Sequence, residues 1–218
     1  MKKLNRRHFF SSGCILAGAA ALGSCAGDSR PAEDSQSPLT GAANFGPQAK
    51  DLTAGMSRDQ VMSLLDMKVD HYMQTTHHCA QSSFMALRDV FGLEDGAIVK
   101  ALTVIPGIAE KGETCGAIVG PLMAFGLTFA PGPPGDRAAY EKALLPAGNF
   151  YDRVVEAEGS AACADLLESK LGQRYDLRTT EGLKAYRMAD GPARCTAIVR
   201  NAVRIAAGII LDERQGPA

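Results

Sequence analysis

The 218-residue chain contains no Trp, and only 6% of its residues are aromatic. A large aromatic binding platform is therefore excluded, and the 23 glycines favour close packing between helices instead. The sequence also has no Ser-His-Asp set, no glycine-rich phosphate loop and no HExxH motif. An ordinary hydrolase or NTPase function consequently has no motif to support it.

An excess of positive charge is missing as well. The formal net charge is −1, and residues 1–25 hold four of the 23 basic residues and no acidic one. Without that segment, 19 basic residues face 24 acidic residues. Proteins that bind nucleic acid need clustered Lys and Arg to displace phosphate counterions, so no nucleic-acid partner is expected.

No apolar run is long enough to span a bilayer, but the N-terminus has the features of an export signal. Arg6 and Arg7 precede two Phe residues, and a short apolar stretch runs over residues 15–22. We predict a twin-arginine-type signal peptide over residues 1–25, with lipidation of Cys25 in a lipobox-like LGSC sequence. The alternatives are an ordinary Sec signal and cleavage near Ala26 without a lipid.

Composition divides the rest of the chain. Residues 26–50 are rich in Ser, Pro, Gly, Ala, Asp and Gln, which is typical of a disordered tether. We predict a helical four-cysteine redox domain over residues 51–212 and a flexible tail over residues 213–218. The predicted location is the periplasm or the outer face of the membrane, where the lipid would be the only membrane anchor.

Apolar residues recur at helical spacing through most of this domain. One stripe contains Val61, Leu64, Leu65, Val69 and Tyr72, and another contains Ile198, Ala202, Ile205 and Ile209. The only strand-like stretch, at residues 104–105, ends at a Pro-Gly pair. Counting periodic segments between Gly and Pro breakers predicts an all-α, compact bundle of about six or seven helices.

Four cysteines remain after residue 25: Cys79, Cys115, Cys163 and Cys195. They are widely spaced, and the sequence contains neither CxxC nor CxxCH. A thioredoxin-type pair, a zinc knuckle and a covalent c-type haem site therefore have no motif. These cysteines can meet only through tertiary folding.

Each of the four cysteines lies near the predicted start of a helix. The expected opening residues are Thr76 for Cys79, Gly112 or Thr114 for Cys115, Ser160 for Cys163, and Asp190 with Pro192 for Cys195. The unpaired N–H groups and the positive end of the dipole at a helix start favour a thiolate over a thiol. The pattern therefore predicts a site that stabilises anionic sulfur.

The stretch GETCGAIVG at residues 112–120, with one cysteine before it and two after it, resembles the redox-active family named C_GCAxxG_C_C. This family is related to the cysteine domain of split-Soret cytochrome c. The resemblance covers roughly residues 57–211 and implies an all-helical, often exported domain with a redox-active cysteine site. In the split-Soret relatives such cysteines are associated with an iron–sulfur cluster.

The candidate site residues follow from the cysteines and this resemblance. Cys79, Cys115, Cys163 and Cys195 are the candidate redox residues and the candidate ligands of an iron–sulfur cluster or another metal. Gly112, Gly116 and Gly120 are expected to line the site, either by admitting a cofactor or by packing against a helix. His78 is a further candidate ligand, with a surface residue near a helix cap as the alternative.

Two redox functions and one structural function remain open. The first is electron transfer through an iron–sulfur cluster to an unidentified redox partner protein at the membrane, and the second is dithiol/disulfide chemistry without a metal. In the third, the oxidising periplasm would join the cysteines in purely structural disulfides. Either redox function would make the chain an oxidoreductase or an accessory electron-transfer protein.

Overall fold

The computed structural model describes residues 50–93, 97–130, 133 and 135–215. The predicted signal peptide, Cys25 and all of the predicted tether except Lys50 lie outside these residues. Seven helices of nine or more residues are found in the described part: α1 (Arg58–Thr76), α2 (Cys79–Phe91), α5 (Gly116–Phe129), α6 (Arg137–Glu158), α7 (Cys163–Leu171), α8 (Thr180–Met188) and α9 (Gly191–Gln215). Single turns make up α3 (Ile98–Ala101), a 3₁₀ helix (Leu102–Val104) and α4 (Gly107–Glu110).

The described residues contain helices and one isolated bridge, and no strand longer than that bridge. The prediction of an all-α fold is confirmed. The strand-like stretch at residues 104–105 is instead the end of the 3₁₀ helix. The strand preference of its β-branched residues is overridden by a hydrogen bond from i+3 to i. The Ile105 amide donates this bond to the Leu102 carbonyl at 3.1 Å.

Helix α2 lies at the centre of the bundle, because α1, α5 and α9 all pack against it. Nine of its 13 residues are buried, including Phe84 and Leu87 at 0% exposure. Phe125 of α5 and Phe150 of α6 meet edge to face, with ring centroids 5.2 Å apart. Each such fully buried side chain stabilises the fold by about 1.5–3 kcal/mol. This core fixes the start of α2, where Cys79 lies.

Ion pairs join the outer faces of α1 and α9. Arg58 contacts Asp212 at 2.7 Å and Arg204 contacts Asp66 at 2.6 Å. Exposed pairs of this kind contribute about 0–1 kcal/mol each, so packing between the helices stabilises the interface more than they do. Among the described residues, none of the helices is long and apolar enough to cross a membrane.

Candidate redox site

The structure places three of the four cysteines directly at helix starts. Cys79 and Cys163 are the first residues of α2 and α7, and Cys115 is the N-cap of α5. The predicted openings were wrong in detail, since His78 rather than Thr76 caps α2 and Ala162 rather than Ser160 is the N-cap of α7. Cys195 lies one turn inside α9, which begins at Gly191.

Two segments pair antiparallel and bring Cys115 next to Cys163. Thr114 and Ala162 form an isolated bridge. The Cys115 amide donates to the Ala161 carbonyl at 2.8 Å, and the Cys163 amide donates to the Glu113 carbonyl at 2.7 Å. These bonds fix two cysteines that are distant in the sequence, and they satisfy two amides that the helices leave unpaired.

Glycines bring Cys79 to the same place. A β-carbon on Gly116 would lie 2.5 Å from the Cys79 sulfur and 2.8 Å from the Ala80 amide nitrogen. One turn later, a β-carbon on Gly120 would lie 2.5 Å from the Ala80 carbonyl oxygen. The two glycines therefore let the starts of α2 and α5 touch. At Gly116 the contact is with a redox-candidate sulfur as well as with backbone.

Gly112 and His78 hold the surrounding chain. Gly112 has φ +81°, and a β-carbon there would lie 2.8 Å from the Ala164 β-carbon. The His78 Nδ1 atom accepts from the Gln81 amide at 3.2 Å, and Nε2 lies 3.0 Å from the Thr103 carbonyl oxygen. Because both ring nitrogens have partners in the chain, His78 acts here as a helix cap and a link to the 3₁₀ helix.

Cys79, Cys115 and Cys163 form a row of neighbouring thiols with Cys115 in the middle, in which the thiols shift one another's pKa values. Hydrogen bonding from the Cys115 thiol lowers the pKa of Cys79, and the Gly116 and Ala80 amides lower it further against the effect of burial. Hydrogen bonding from the Cys115 thiol also lowers the pKa of Cys163. Bonding to both neighbours, together with burial, raises the pKa of Cys115. Within the row, a thiol at either end therefore loses its proton more readily than the central Cys115 thiol.

Cys195 belongs to the same site but has a different environment. Burial raises its pKa to about 12, although a hydrogen bond with Tyr186 acts in the opposite direction. Tyr186 is 9% exposed, and burial also raises its pKa. Its ring lies so close to the start of α9 that a β-carbon on Gly191 would come within 2.6 Å of Cζ. Cys195 is therefore held as a neutral thiol.

A left-handed turn packs against Cys163, and the sequence analysis missed it. In α4 the φ angles are +52° at Gly107, +49° at Ile108, +55° at Ala109 and +58° at Glu110. A β-carbon on Gly107 would lie 3.4 Å from the Cys163 sulfur. Positive φ is costly for residues with side chains, so Ile108, Ala109 and Glu110 give no sign of this turn in the sequence. The only sequence signal was the Pro-Gly pair at residues 106–107.

All four cysteines line one cavity of about 800 Å³. Most of its other lining residues are apolar or aromatic, including Val104, Leu167, Leu183, Tyr175 and Tyr186. Cys115 is 6% exposed, whereas Cys79, Cys163 and Cys195 are half-buried. Each of the four is a free thiol. A small molecule in the cavity would therefore meet sulfur on its wall.

The sulfurs do not form a ready metal site. Across residues 50–93, 97–130, 133 and 135–215, no three or more His, Cys, Asp or Glu side chains are grouped so as to hold a metal ion. Three thiols lie in a row through Cys115, and the fourth is bonded to Tyr186. The four sulfurs line one cavity, but the described arrangement does not group them as metal ligands.

Comparison with known families decides the classification. Residues 77–209 match the family model described as "Putative redox-active protein (C_GCAxxG_C_C)". The chain belongs to this family. The match begins two residues before Cys79 and includes Cys195, so it contains all four cysteines and confirms the resemblance drawn from the sequence. No curated protein and no solved structure gave a match.

Membership of the C_GCAxxG_C_C family gives meaning to the cysteine row. The family is described as redox-active, and the four cysteines in the family name correspond in order to the four that line the cavity here. The chemistry available without further ligands is the oxidation of neighbouring thiols.

Proposed function

We propose that this chain is a dithiol/disulfide redox protein whose working pair is Cys115 and Cys163. The observation that carries the proposal is the backbone pairing that sets Cys115 beside Cys163: across the Thr114–Ala162 bridge, the Cys115 amide donates to Ala161 at 2.8 Å and the Cys163 amide donates to Glu113 at 2.7 Å. Thiol–disulfide chemistry needs one thiolate that can attack and one neighbouring sulfur that can resolve the product. Cys163, whose pKa is lowered, is the attacking thiol, and Cys115, whose pKa is raised, is the neighbouring sulfur that resolves the product.

The proposed reaction exchanges a disulfide with a dithiol of a redox partner protein. A partner thiolate attacks the Cys163 sulfur of the Cys115–Cys163 disulfide and forms a mixed disulfide with it. This step releases the Cys115 thiolate, which takes up a proton. The partner's second thiolate then attacks the partner's first sulfur in the mixed disulfide and releases Cys163. The partner is oxidised to a disulfide, and two electrons remain on the Cys115–Cys163 dithiol.

The test is mapping of the disulfide by mass spectrometry after mild oxidation of the full chain. We expect a peptide linked through Cys115 and Cys163, which persists in Cys79→Ser and is lost in Cys163→Ser. Cys195→Ser is the matched control, because the Cys195 thiol lines the same cavity but is not one of the three thiols of the row. A link between Cys79 and Cys195, or no link while the thiols remain titratable, would overturn the proposed pair.

An iron–sulfur protein is the second candidate function. It is favoured by one observation, that four cysteine sulfurs, the ligand type of such clusters, line a single cavity. Analysis of iron, zinc and acid-labile sulfide on anaerobically purified native protein tests it. Iron and sulfide that are lost in Cys115→Ser would favour electron transfer through a cluster. A metal-free protein with reactive thiols would favour the dithiol function.

Export by a twin-arginine-type signal and lipidation of Cys25 are part of the proposal. They rest on the sequence alone, through Arg6, Arg7 and the small residues before Cys25. The protein would then work at the outer face of the membrane, near its redox partner. Metabolic labelling with a fatty acid tests this, since the label should be absent in Cys25→Ala. Equal labelling of both chains would contradict the anchor.

A further inference from the structure

We infer that the cavity beside the cysteines is a binding site for a small quinone with an apolar ring, which accepts the electron pair from the Cys115–Cys163 dithiol. This inference rests on the proposed function, because it assumes that those two thiols form a disulfide. It adds a second substrate class to that function and assigns the cavity a role.

Size and wall chemistry support a small ring-shaped ligand. The cavity volume of about 800 Å³ lies within the range of about 300–1,000 Å³ that is typical of small-molecule sites. Leu167 contributes from α7, Leu183 from α8 and Val104 from the 3₁₀ helix. Tyr175 and Tyr186 add aromatic surface and meet at 72°, with ring centroids 6.1 Å apart. Walls of this kind suit a flat ring with apolar faces.

Sulfur and polar groups lie at the wall where the ring would react. Cys79, Cys163 and Cys195 are half-buried and line the cavity, and the buried Cys115 lines it as well. Arg187 is exposed and also lines the cavity. A guanidinium at the rim suits the oxygen of a quinone, on which negative charge develops during reduction. An apolar acceptor with polar oxygens thus matches both parts of the cavity.

The reaction balances without any further reactant. The S–S bond between Cys115 and Cys163 forms, and two electrons pass from the two sulfurs to the quinone ring. Two protons complete the hydroquinone: one comes from the Cys115 thiol, and the other comes from the Cys163 thiol or, if Cys163 is a thiolate, from solvent. The partner dithiol then restores the Cys115–Cys163 dithiol by the exchange already described.

The probe is duroquinone, whose fully substituted ring resists thiol addition. The reduced full chain is mixed with it anaerobically, and quinone absorbance and free thiols are followed together. We expect one quinone to be reduced for each pair of thiols lost. Leu183→Trp should narrow the cavity and slow the reduction about tenfold, as a steric penalty of about 1.4 kcal/mol would do. Leu145→Trp, at a 79% exposed position outside the cavity lining, is the control.

Two further measurements separate the possible failures. Cys115→Ser should still bind duroquinone in equilibrium dialysis, and Leu183→Trp should weaken that binding. Hydrogen peroxide, which is small enough to pass a Trp in the cavity, should oxidise the wild type and Leu183→Trp at similar rates. Oxidation by peroxide with no reduction or binding of quinone would overturn the quinone site and leave the dithiol function standing. Failure of both oxidants to form the disulfide would overturn the dithiol function itself.

Discussion

The Cys79 sulfur occupies the space that a side chain on Gly116 would need. A β-carbon built on Gly116 falls 2.5 Å from that sulfur, and a β-carbon essentially never lies this close to a non-bonded atom. The glycine that opens helix α5 is therefore explained by a sulfur of another helix. The same glycine that allows the two helix starts to pack closely also leaves room for the Cys79 sulfur.

Gly116→Ala should destabilise the protein and disturb the cysteine row. The added methyl group meets Cys79 and the backbone of Ala80, so α2 must move, at a cost of about 1–3 kcal/mol. Gly126→Ala in the same helix is the matched control, because nothing lies within 4 Å of its β-carbon. The control should gain about 0.5–1 kcal/mol from better helix propensity. Urea unfolding measures both, and equal effects in the two variants would contradict this account.

Removing the Cys115 thiol should make its neighbours less reactive. Its hydrogen bond is the largest cause of the lowered pKa of Cys79 and of Cys163. Cys115→Ala removes the donor, so both pKa values should rise and alkylation at neutral pH should slow. Cys115→Ser keeps a hydroxyl donor at the same place and should retain much of the reactivity. Alkylation rates measured against pH, with peptide mapping, test this, and an unchanged profile in Cys115→Ala would refute it.

Much of the fold could be predicted from the sequence because helical periodicity is a local signal. The stripes at Val61–Tyr72 and Ile198–Ile209 lie in α1 and α9, and the seven longer helices agree with the predicted six or seven. The single-turn elements were not predicted, because a helix of four residues shows no periodicity. The exact helix starts were also missed, since a His at position 78 is an unusual cap.

The candidate site was predictable in composition but not in arrangement. Four cysteines near helix starts indicated one site, and the structure places all four around one cavity. The order of the thiols depends on the bridge between Thr114 and Ala162, which joins segments far apart in the sequence. Neither propensity nor periodicity encodes such a contact. The left-handed turn was equally hidden, because Ile108 and Ala109 are residues that normally avoid positive φ.

Asp89 should make the stability of the protein depend on pH. Burial alone would raise the pKa of Asp89, but hydrogen bonds from Tyr72, Lys68 and Arg88 outweigh it and hold the pKa below its usual value. A carboxyl whose pKa is lowered in the folded state stabilises the fold at pH values above its unfolded pKa. This stabilisation is lost as the pH falls through the folded pKa. Asp89→Asn should therefore cost about 1–3 kcal/mol at neutral pH.

The difference between wild type and Asp89→Asn should shrink as the pH falls below about 4, where the carboxyl also becomes protonated in the wild type. Denaturant unfolding at several pH values measures this difference. Asp176→Asn is the control, because its carboxyl pairs with Arg178 at an exposed position and should contribute little. A difference that stays constant with pH would show that shape rather than charge at Asp89 matters.

The left-handed turn beside Cys163 should be under strain that a glycine relieves. Ala109 has φ +55° and ψ +37°, a conformation that costs a residue with a side chain about 1–2 kcal/mol. Ala109→Gly should therefore raise the free energy of unfolding by up to about 1 kcal/mol, after the greater flexibility of glycine in the unfolded chain is counted. Ala138→Gly, at an exposed position in the first turn of helix α6, should lower it by up to about 1 kcal/mol. The same substitution thus has opposite signs at the two positions.

Because the turn contacts Cys163 through Gly107, the thiol reactivity of Cys163 should also change in Ala109→Gly and not in Ala138→Gly. Destabilisation in both variants would mean that the turn is not left-handed in solution.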